Sequence, residues 1–380
     1  MERPELVLGS PVYAKFVERI NRFVVRCYSD DIGQVDAFMA NPGRLGELLI
    51  PGADIVLERS EKSATRKTLY SAAGVYSRDT LIGLNTHHSN QIARYLLKNR
   101  LVPGLEQVDV IDTEVVHERS RFDFLVLEEG IPLFLEVKSV SLSGNGIAMF
   151  PDAVTERGRR HLKELANLGS PGKANIILFI AQGSENDLFM PDYHTDLEFS
   201  RTILEERGRL RIVPVGVKWD RSLRLSDCVR LLAIPWDFIN ERIRDTGSYL
   251  LSLRIPKQQH INVGSLGKVS LKPGYYLYVG SGMNGLSGRI SRHMRLRKNL
   301  HWHVDFLRQF ADKVTAYAIR TSHHIETDLA IAAGRILEPV IPGFGASDSA
   351  LGTHLFYSRT DPYKCKQFQL LLEKFRFIRP

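Results

Sequence analysis

Asp123, Glu136 and Lys138 are the residues best placed by type and spacing to do chemistry. They lie in Arg121-Phe122-Asp123-Phe124 and Leu135-Glu136-Val137-Lys138, with Glu128-Glu129-Gly130-Ile131 between them. A Glu-Gly pair flanked by two apolar, strand-like runs predicts a tight hairpin. Centred on Glu129 and Gly130, the hairpin sets Asp123 opposite Glu136. Side chains alternate along a strand, so Glu136 and Lys138 share a face. Carboxylates facing each other repel in a purely structural pair. They make sense around a divalent cation such as Mg²⁺ (or Mn²⁺), which takes one or two carboxylates and fills its shell with water and substrate phosphate. Such a cation lowers the pKa of bound water and offsets transition-state charge. A neighbouring lysine orients or deprotonates the attacking water, or counters developing charge.

These residues need a rigid support, and the surrounding pattern predicts one. Asn90–Asn99 has helical spacing, with Ile92, Tyr95 and Leu96 on one face. Val108–Val116, Phe122–Leu127 and Leu133–Val137 read as strands, and Thr155–Leu168 as a helix with Thr155 as N-cap. Asn175–Gln182 is largely a continuous apolar run, as in a strand buried on both faces. Phe199–Gly208 reads as a helix and Ile212–Trp219 as a further strand, giving a mixed α/β domain. Upstream, residues 12–82 look all-β. Arg22–Tyr28, Gln34–Phe38, Asp54–Glu58 and Lys67–Ala72 are short strand-like runs separated by turn signals at Asp30-Asp31-Ile32-Gly33, Asn41-Pro42-Gly43 and Pro51-Gly52. That spacing suggests a small OB-type barrel, with a short helix at Arg44–Leu49.

Asn21-Arg22-Phe23-Val24, Asn41-Pro42-Gly43-Arg44-Leu45, Ser120-Arg121-Phe122-Asp123-Phe124, Glu136-Val137-Lys138 and Phe150-Pro151-Asp152-Ala153-Val154-Thr155-Glu156-Arg157-Gly158 together resemble the sugar fermentation stimulation protein family, SfsA, from about residue 12 to about 240. Asp…Glu-X-Lys on a hairpin also resembles the wider PD-(D/E)XK nuclease superfamily. The resemblance implies an OB-like domain (1–84), a PD-(D/E)XK domain (85–244), and activity on DNA or RNA. It implies that Asp123 and Glu136 are metal ligands and Lys138 is catalytic. Glu114, on the preceding strand, is a further catalytic candidate or a solvated strand charge. Glu156, Arg157 and His161 form a solvated helix face or line the site; Arg157 and His161, at i and i+4 on one helix, are expected to contact substrate or phosphate. Arg22, Arg26, Arg44, Arg66 and Lys67 suggest nucleic-acid binding by the barrel, whereas Phe23 is expected in its core.

The segment from 245 to 380 carries a second set. Tyr249–Ile255 and Tyr275–Val279 read as strands; Leu286–Arg297, Trp302–Ala311 and Ile325–Leu337 read as helices. Tyr278-Val279-Gly280-Ser281-Gly282, Arg289-Ile290-Ser291-Arg292-His293, His301-Trp302-His303-Val304-Asp305-Phe306-Leu307 and Pro342-Gly343-Phe344-Gly345-Ala346-Ser347-Asp348 resemble a subfamily of GIY-YIG nucleases over about 246–358. The resemblance implies a small α/β domain with Tyr249, Tyr278, Arg289, His293 and Glu326 as catalytic candidates, Glu326 also holding a metal. The chain departs from that pattern in Gly247-Ser248-Tyr249, which lacks the isoleucine, and in Ser349, where the subfamily usually has a cysteine. Arg292, Arg295, Arg297 and Lys298 complete a basic helix read as phosphate-contacting.

Charge follows the same division. From Thr246 onward Lys and Arg outnumber Asp and Glu by 19 to 8, while the rest of the chain has 32 against 35, within an overall +8. A concentrated positive field suits a polyanion. Apolar and charged fractions of 43% and 25% are those of a folded soluble protein. No membrane-length apolar run or signal-peptide pattern occurs, and Cys27, Cys228 and Cys365 are too scattered for a metal or disulfide framework. The expectation is a cytoplasmic, Mg²⁺-dependent nuclease acting on DNA or RNA away from membranes, with a homodimer left open. The alternative is a non-catalytic DNA-binding regulator.

Overall fold

Five strands close a barrel near the start of the chain: β1 (Pro11–Asn21), β2 (Val24–Ser29), β3 (Gly33–Phe38), β4 (Asp54–Arg59) and β5 (Tyr70–Ser77). Their order is β3-β2-β1-β4-β5, and a parallel pairing of Ala37 and Phe38 with Tyr70 and Ser71 closes the ring. β6 (Thr80–Gly83) extends β5. Alternation drives this arrangement. Along β1, Ala14 and Phe16 turn inward onto Val25, Cys27, Ala37 and Ile55, while Tyr13, Lys15 and Val17 stay exposed. The OB-type reading holds here. The helix expected at Arg44–Leu49 is instead one turn, in which the N–H groups of Leu48 and Leu49 both reach Leu45 O. Leu45 sits at φ 52°, outside helical space. The Arg19 guanidinium holds the preceding loop by the carbonyls of Asn41, Gly43 and Arg44.

The computed structural model describes residues 5–59, 68–118, 120–169, 172–183, 185–346 and 352–380. Arg66, Lys67, Ser347, Asp348 and Ser349 lie outside the described residues. The chain divides into two units, Met1–Asp192 with Glu198–Ile239 and Arg379–Pro380, and Tyr193–Leu197 with Asn240–Ile378.

The first unit continues from the barrel into α1 (Ser89–Lys98), β7 (Val108–His117), β8 (Ser120–Glu128), β9 (Ile131–Val140), β10 (Leu142–Gly144), β11 (Ile147–Phe150), α2 (Glu156–Asn167), β12 (Asn175–Ala181), β13 (Leu188–Pro191), α3 (Leu197–Glu206), β14 (Leu210–Gly216) and β15 (Arg230–Leu231). Six strands form one sheet in the order β15-β14-β12-β9-β8-β7. β7, β8 and β9 are antiparallel, whereas β12 is parallel to both β9 and β14 and buried throughout. α1 packs Leu96 and Leu97 on one face of the sheet, and α2 and α3 pack Leu162, Leu165, Phe199 and Ile203 on the other. Thr155 caps α2, its hydroxyl accepting from Gly158 N at 3.0 Å. The β8–β9 register is the expected one, from Glu128↔Ile131 to Phe124↔Leu135. Glu129 and Gly130 both take positive φ, 52° and 80°, as a two-residue hairpin turn requires.

The stretch 240–245 begins as the end of α4 (Trp236–Arg242). The second unit then builds a five-stranded sheet from β16 (Gly247–Ile255), β19 (Gly274–Ser281), β20 (Lys313–Arg320), β21 (Glu338–Pro339) and β22 (Leu355–Ser358), with β17 (Gln259–Asn262) and β18 (Lys268–Leu271) as a separate hairpin. The order is β20-β16-β19-β22-β21. α5 (Leu286–Met294) and α6 (His303–Arg308) cover one face through Leu286, Val304 and Leu307; α7 (Glu326–Gly334) and α8 (Lys366–Arg376) cover the other through Leu329, Phe368 and Leu371. α5 stops before Arg297 because Arg295 turns to extended backbone. Among the described residues, no helix is long and apolar enough to cross a membrane.

Candidate active site

The β8–β9 ladder ends one pair short of Asp123 and Glu136. Asp123 Oδ2 instead accepts from the backbone N–H of Val137 at 2.7 Å, so a side chain takes the place of a ladder bond. Asp123 Oδ1 accepts from Asn90 Nδ2 at 3.0 Å, at the first turn of α1. Burial and the Glu136 charge raise the Asp123 pKa, against the two hydrogen bonds. Glu136 is 4% exposed. Burial pushes its pKa up, but the Lys138 ammonium and a hydrogen bond from His161 more than offset this and hold it below the usual range. Lys138 Nζ and His161 Nδ1, the latter at 2.8 Å, both meet Glu136 Oε1. Glu136 Oε2 is buried with no hydrogen-bond partner.

These groups open on a cavity of about 800 Å³, lined also by Arg22, Asn90, Glu114, Arg121, Asp152 and Arg157. Glu114 sits at φ 56° within β7, a conformation costing about 1–3 kcal/mol for a non-glycine residue. Its carboxylate meets Asn90 Nδ2 at 3.0 Å and Arg121 Nε at 2.9 Å. Asn90 therefore bridges Glu114 and Asp123. Asp152 faces Gly43 across the barrel–sheet junction; a Cβ on Gly43 would lie 1.8 Å from Asp152 Oδ2. Burial and the nearby Asp192 push the Asp152 pKa up to about 6.

The orphan oxygen on Glu136 and the free lone pairs on Asp123 fit a hard cation. Among the described residues, no group of three or more His, Cys, Asp or Glu is arranged to hold a metal.

Several expectations need correcting. His161 is 3% exposed and faces Glu136 rather than the cavity, so it cannot be a direct phosphate contact. Phe23 is 51% exposed, at the β1–β2 turn with the Arg22 guanidinium over its ring, and is not core. Arg26 is engaged by Asp36 and Glu18. Arg44 is exposed outside the cavity lining, whereas Arg22 and Arg157 line it.

The second unit gathers Tyr249 and Tyr278 on neighbouring strands, their hydroxyls sharing a hydrogen bond. Burial raises both pKa values. The His293 ring lies 5.7 and 6.4 Å from the two tyrosine rings, centroid to centroid. Gly280 permits this packing, since a Cβ there would stand 2.5 Å from Tyr249 Oη. Arg289 stacks over Trp302 at 4.6 Å, and Glu326 bonds Ser281 and His354 Nδ1, the latter at 3.2 Å. Behind His293 lies Asp305, fully buried, which takes Lys298 at 2.8 Å, Arg292 at 3.0 Å, and the N–H groups of His301 and Trp302. Lys298, with 6% of its side chain exposed, is thus an internal cation rather than a phosphate contact, and Arg292 is largely spent on Asp305. Arg295 and Arg297 remain exposed. Burial pushes the His293 pKa down to about 4.

Asn90, Asp152, Asp305 and His354 were not among the expected site residues. Only Asp305 had a visible signal, an acid three residues after Trp302 at a helix start.

Comparison with known proteins agrees with this architecture. The family model described as the SfsA N-terminal OB domain matches residues 17–84, and that of the sugar fermentation stimulation protein RE domain matches 87–222. The chain belongs to the sugar fermentation stimulation protein family. A third model, a domain of unknown function termed DUF123, matches 248–377. The family homologue of Methanothermobacter thermautotrophicus is 32% identical over 61% of this chain and 96% of its own length. That of Clostridium beijerinckii is 36% identical over 57% of this chain and 96% of its own. The solved structure of Pyrococcus furiosus SfsA in complex with Ca²⁺ superimposes with a TM-score of 0.55 at 26% identity, covering 60% of this chain and 97% of that one.

Proposed function

We propose that the first unit of this SfsA-family chain is a divalent-metal-dependent nuclease that hydrolyses phosphodiester bonds in DNA or RNA. The observation that carries the reading is Asp123 and Glu136 converging beside Lys138 on an open cavity, with Glu136 Oε2 buried and unpartnered. Asp123 and Glu136 would hold the ion, as Mg²⁺ or Mn²⁺. Bound there, it supplies an activated water and offsets charge on the phosphoryl oxygens. The Ca²⁺ in the Pyrococcus furiosus relative supports a cation site in this fold.

The chain's own groups divide the remaining work. Val137 N–H and Asn90 fix the Asp123 carboxylate. Lys138 places an ammonium beside Glu136, where it orients a water or counters charge on phosphorus. Arg22 and Arg157 on the cavity lining can each take a phosphate oxygen pair. Glu114, tied to the same Asn90, belongs to the ligand-supporting set.

The second unit, of net charge +11 from Thr246 onward, we read as a GIY-YIG-like nucleic-acid-binding nuclease domain. Its supporting features are the Tyr249–Tyr278–His293 cluster, with Arg289 for phosphate and Glu326 for a metal. The partner of the whole chain is then DNA or RNA in the cytoplasm. A panel of single- and double-stranded DNA and RNA, incubated with Mg²⁺, tests the reading. Wild type is expected to cleave at least one substrate, and Asp123→Ala to abolish the first unit's share. Salt-sensitive binding without any metal-dependent turnover would support a non-catalytic binding protein instead.

A further inference from the structure

We infer that His161 is a positioning residue, which fixes the Glu136 carboxylate so that one oxygen is presented to the cation; this rests on the metal-dependent reading above. His161 stands on α2, one turn after Arg157, and its ring packs edge-on against Phe122 with centroids 6.1 Å apart. At 3% exposure it has no access to a phosphate. Arg157 Nε donates to His161 Nε2 at 3.4 Å. Arginine has no lone pair to offer, so Nε2 is the acceptor nitrogen and the ring proton sits on Nδ1. That proton is donated to Glu136 Oε1 at 2.8 Å.

The consequence lies in which oxygen is used. Lys138 and His161 both bond Oε1, and neither bonds Oε2. Turning the carboxylate out of its present plane would break both bonds inside a buried site. Oε2 is therefore held as a preformed, unpartnered ligand atom. A histidine that only filled space would need no such polarity. Partners behind a metal ligand typically contribute 10–100-fold to metal affinity or activity.

The test is Ca²⁺ titration calorimetry on the full-length chain, with Asp123→Ala identifying the heat that belongs to this site. His161→Leu keeps most of the volume and removes the donor, and is expected to weaken Ca²⁺ binding about 10–100-fold. His161→Asn can place its amide nitrogen where Nδ1 stands, and is expected to bind within about 3-fold of wild type on the same reasoning. The Mg²⁺ concentration for half-maximal cleavage should rise by the same factor in His161→Leu, with kcat recovered at saturating Mg²⁺. Should His161→Leu not fold, His161→Gln replaces it. Its amide reaches the Nε2 position and leaves Glu136 without the donor, so it should bind as weakly. Equal Ca²⁺ affinity in wild type and the donor-less variant would overturn the inference and leave the metal-dependent reading intact. Absence of any Asp123-dependent Ca²⁺ binding in wild type would overturn both.

Discussion

Replacing Asp305 by asparagine removes the charge from a heavily bonded carboxylate in the second unit. The side chain is fully buried and accepts from Lys298, Arg292, His293 and two backbone N–H groups. Asparagine keeps the shape but turns an amide NH₂ toward some of those donors and leaves Lys298, 6% exposed, without an anion. Breaking a buried pair from one side costs about 3–5 kcal/mol. For a unit of roughly 140 residues, about 1 kcal/mol moves the melting temperature by 2–5 °C, so the unit's transition should fall by roughly 6–25 °C. The pH dependence has a definite sign. Burial works against ionisation, but Lys298 and the two N–H groups hold the folded-state pKa well below the unfolded carboxylate value. The contribution is therefore full at pH 7 and is lost as pH falls below about 4 toward the folded value. The assay is denaturant-dependent hydrogen exchange read by mass spectrometry, with peptides from β16 and α5 reporting the second unit and β12 serving as internal reference. A stability difference under about 1 kcal/mol at pH 7, or one that does not shrink in acid, would mean that the Asp305 charge does not hold this unit together.

Two further perturbations follow from close contacts and burial. Gly43→Ala forces a methyl to within 1.8 Å of Asp152 Oδ2, and should lower first-unit stability by about 1–3 kcal/mol in urea unfolding. A neutral result would mean the loop yields freely despite Arg19. Asp152, with a folded pKa of about 6 against an ordinary 3.8, favours the folded state in its protonated form. That contribution is present below pH 4 and is lost as pH rises through 6. Asp152→Asn should therefore gain on wild type by up to about 3 kcal/mol between pH 4 and pH 7, measured in EDTA; a pH-independent difference would show that Asp152 is not protonated in the folded state.

The sequence carried the hairpin because two independent signals agreed there. The Glu129-Gly130 turn set the register, and alternation set the face. The apolar run Ile176–Ala181 likewise announced a strand covered on both sides. What escaped the sequence depends on contacts remote in the chain. His161 looked like an exposed helix residue because i, i+4 spacing says which residues share a face, not what that face meets; here it meets Glu136, 25 residues earlier. Phe23 looked like core because it is aromatic and follows the strand β1, yet it falls on a two-residue turn. Lys298 read as surface because its neighbours are basic, and only the fold brings Asp305 to it. β20 was missed because Lys313–Arg320 has weak alternation and takes its place by pairing with β16 along its whole length. The positive φ of Glu114 has no sequence signal at all.

The cleavage proposed for the first unit rests on Asp123, Glu136 and Lys138. In the full-length chain with the second unit disabled by Glu326→Ala, single-turnover cleavage of the preferred substrate is measured in Mg²⁺ with Lys138 intact or replaced by alanine. Mg²⁺-dependent cleavage is expected to fall at least about 10²-fold on loss of Lys138, the scale for removing one preorganised electrostatic group, while Ca²⁺ binding persists. Cleavage that is unchanged in Lys138→Ala would contradict the proposed site.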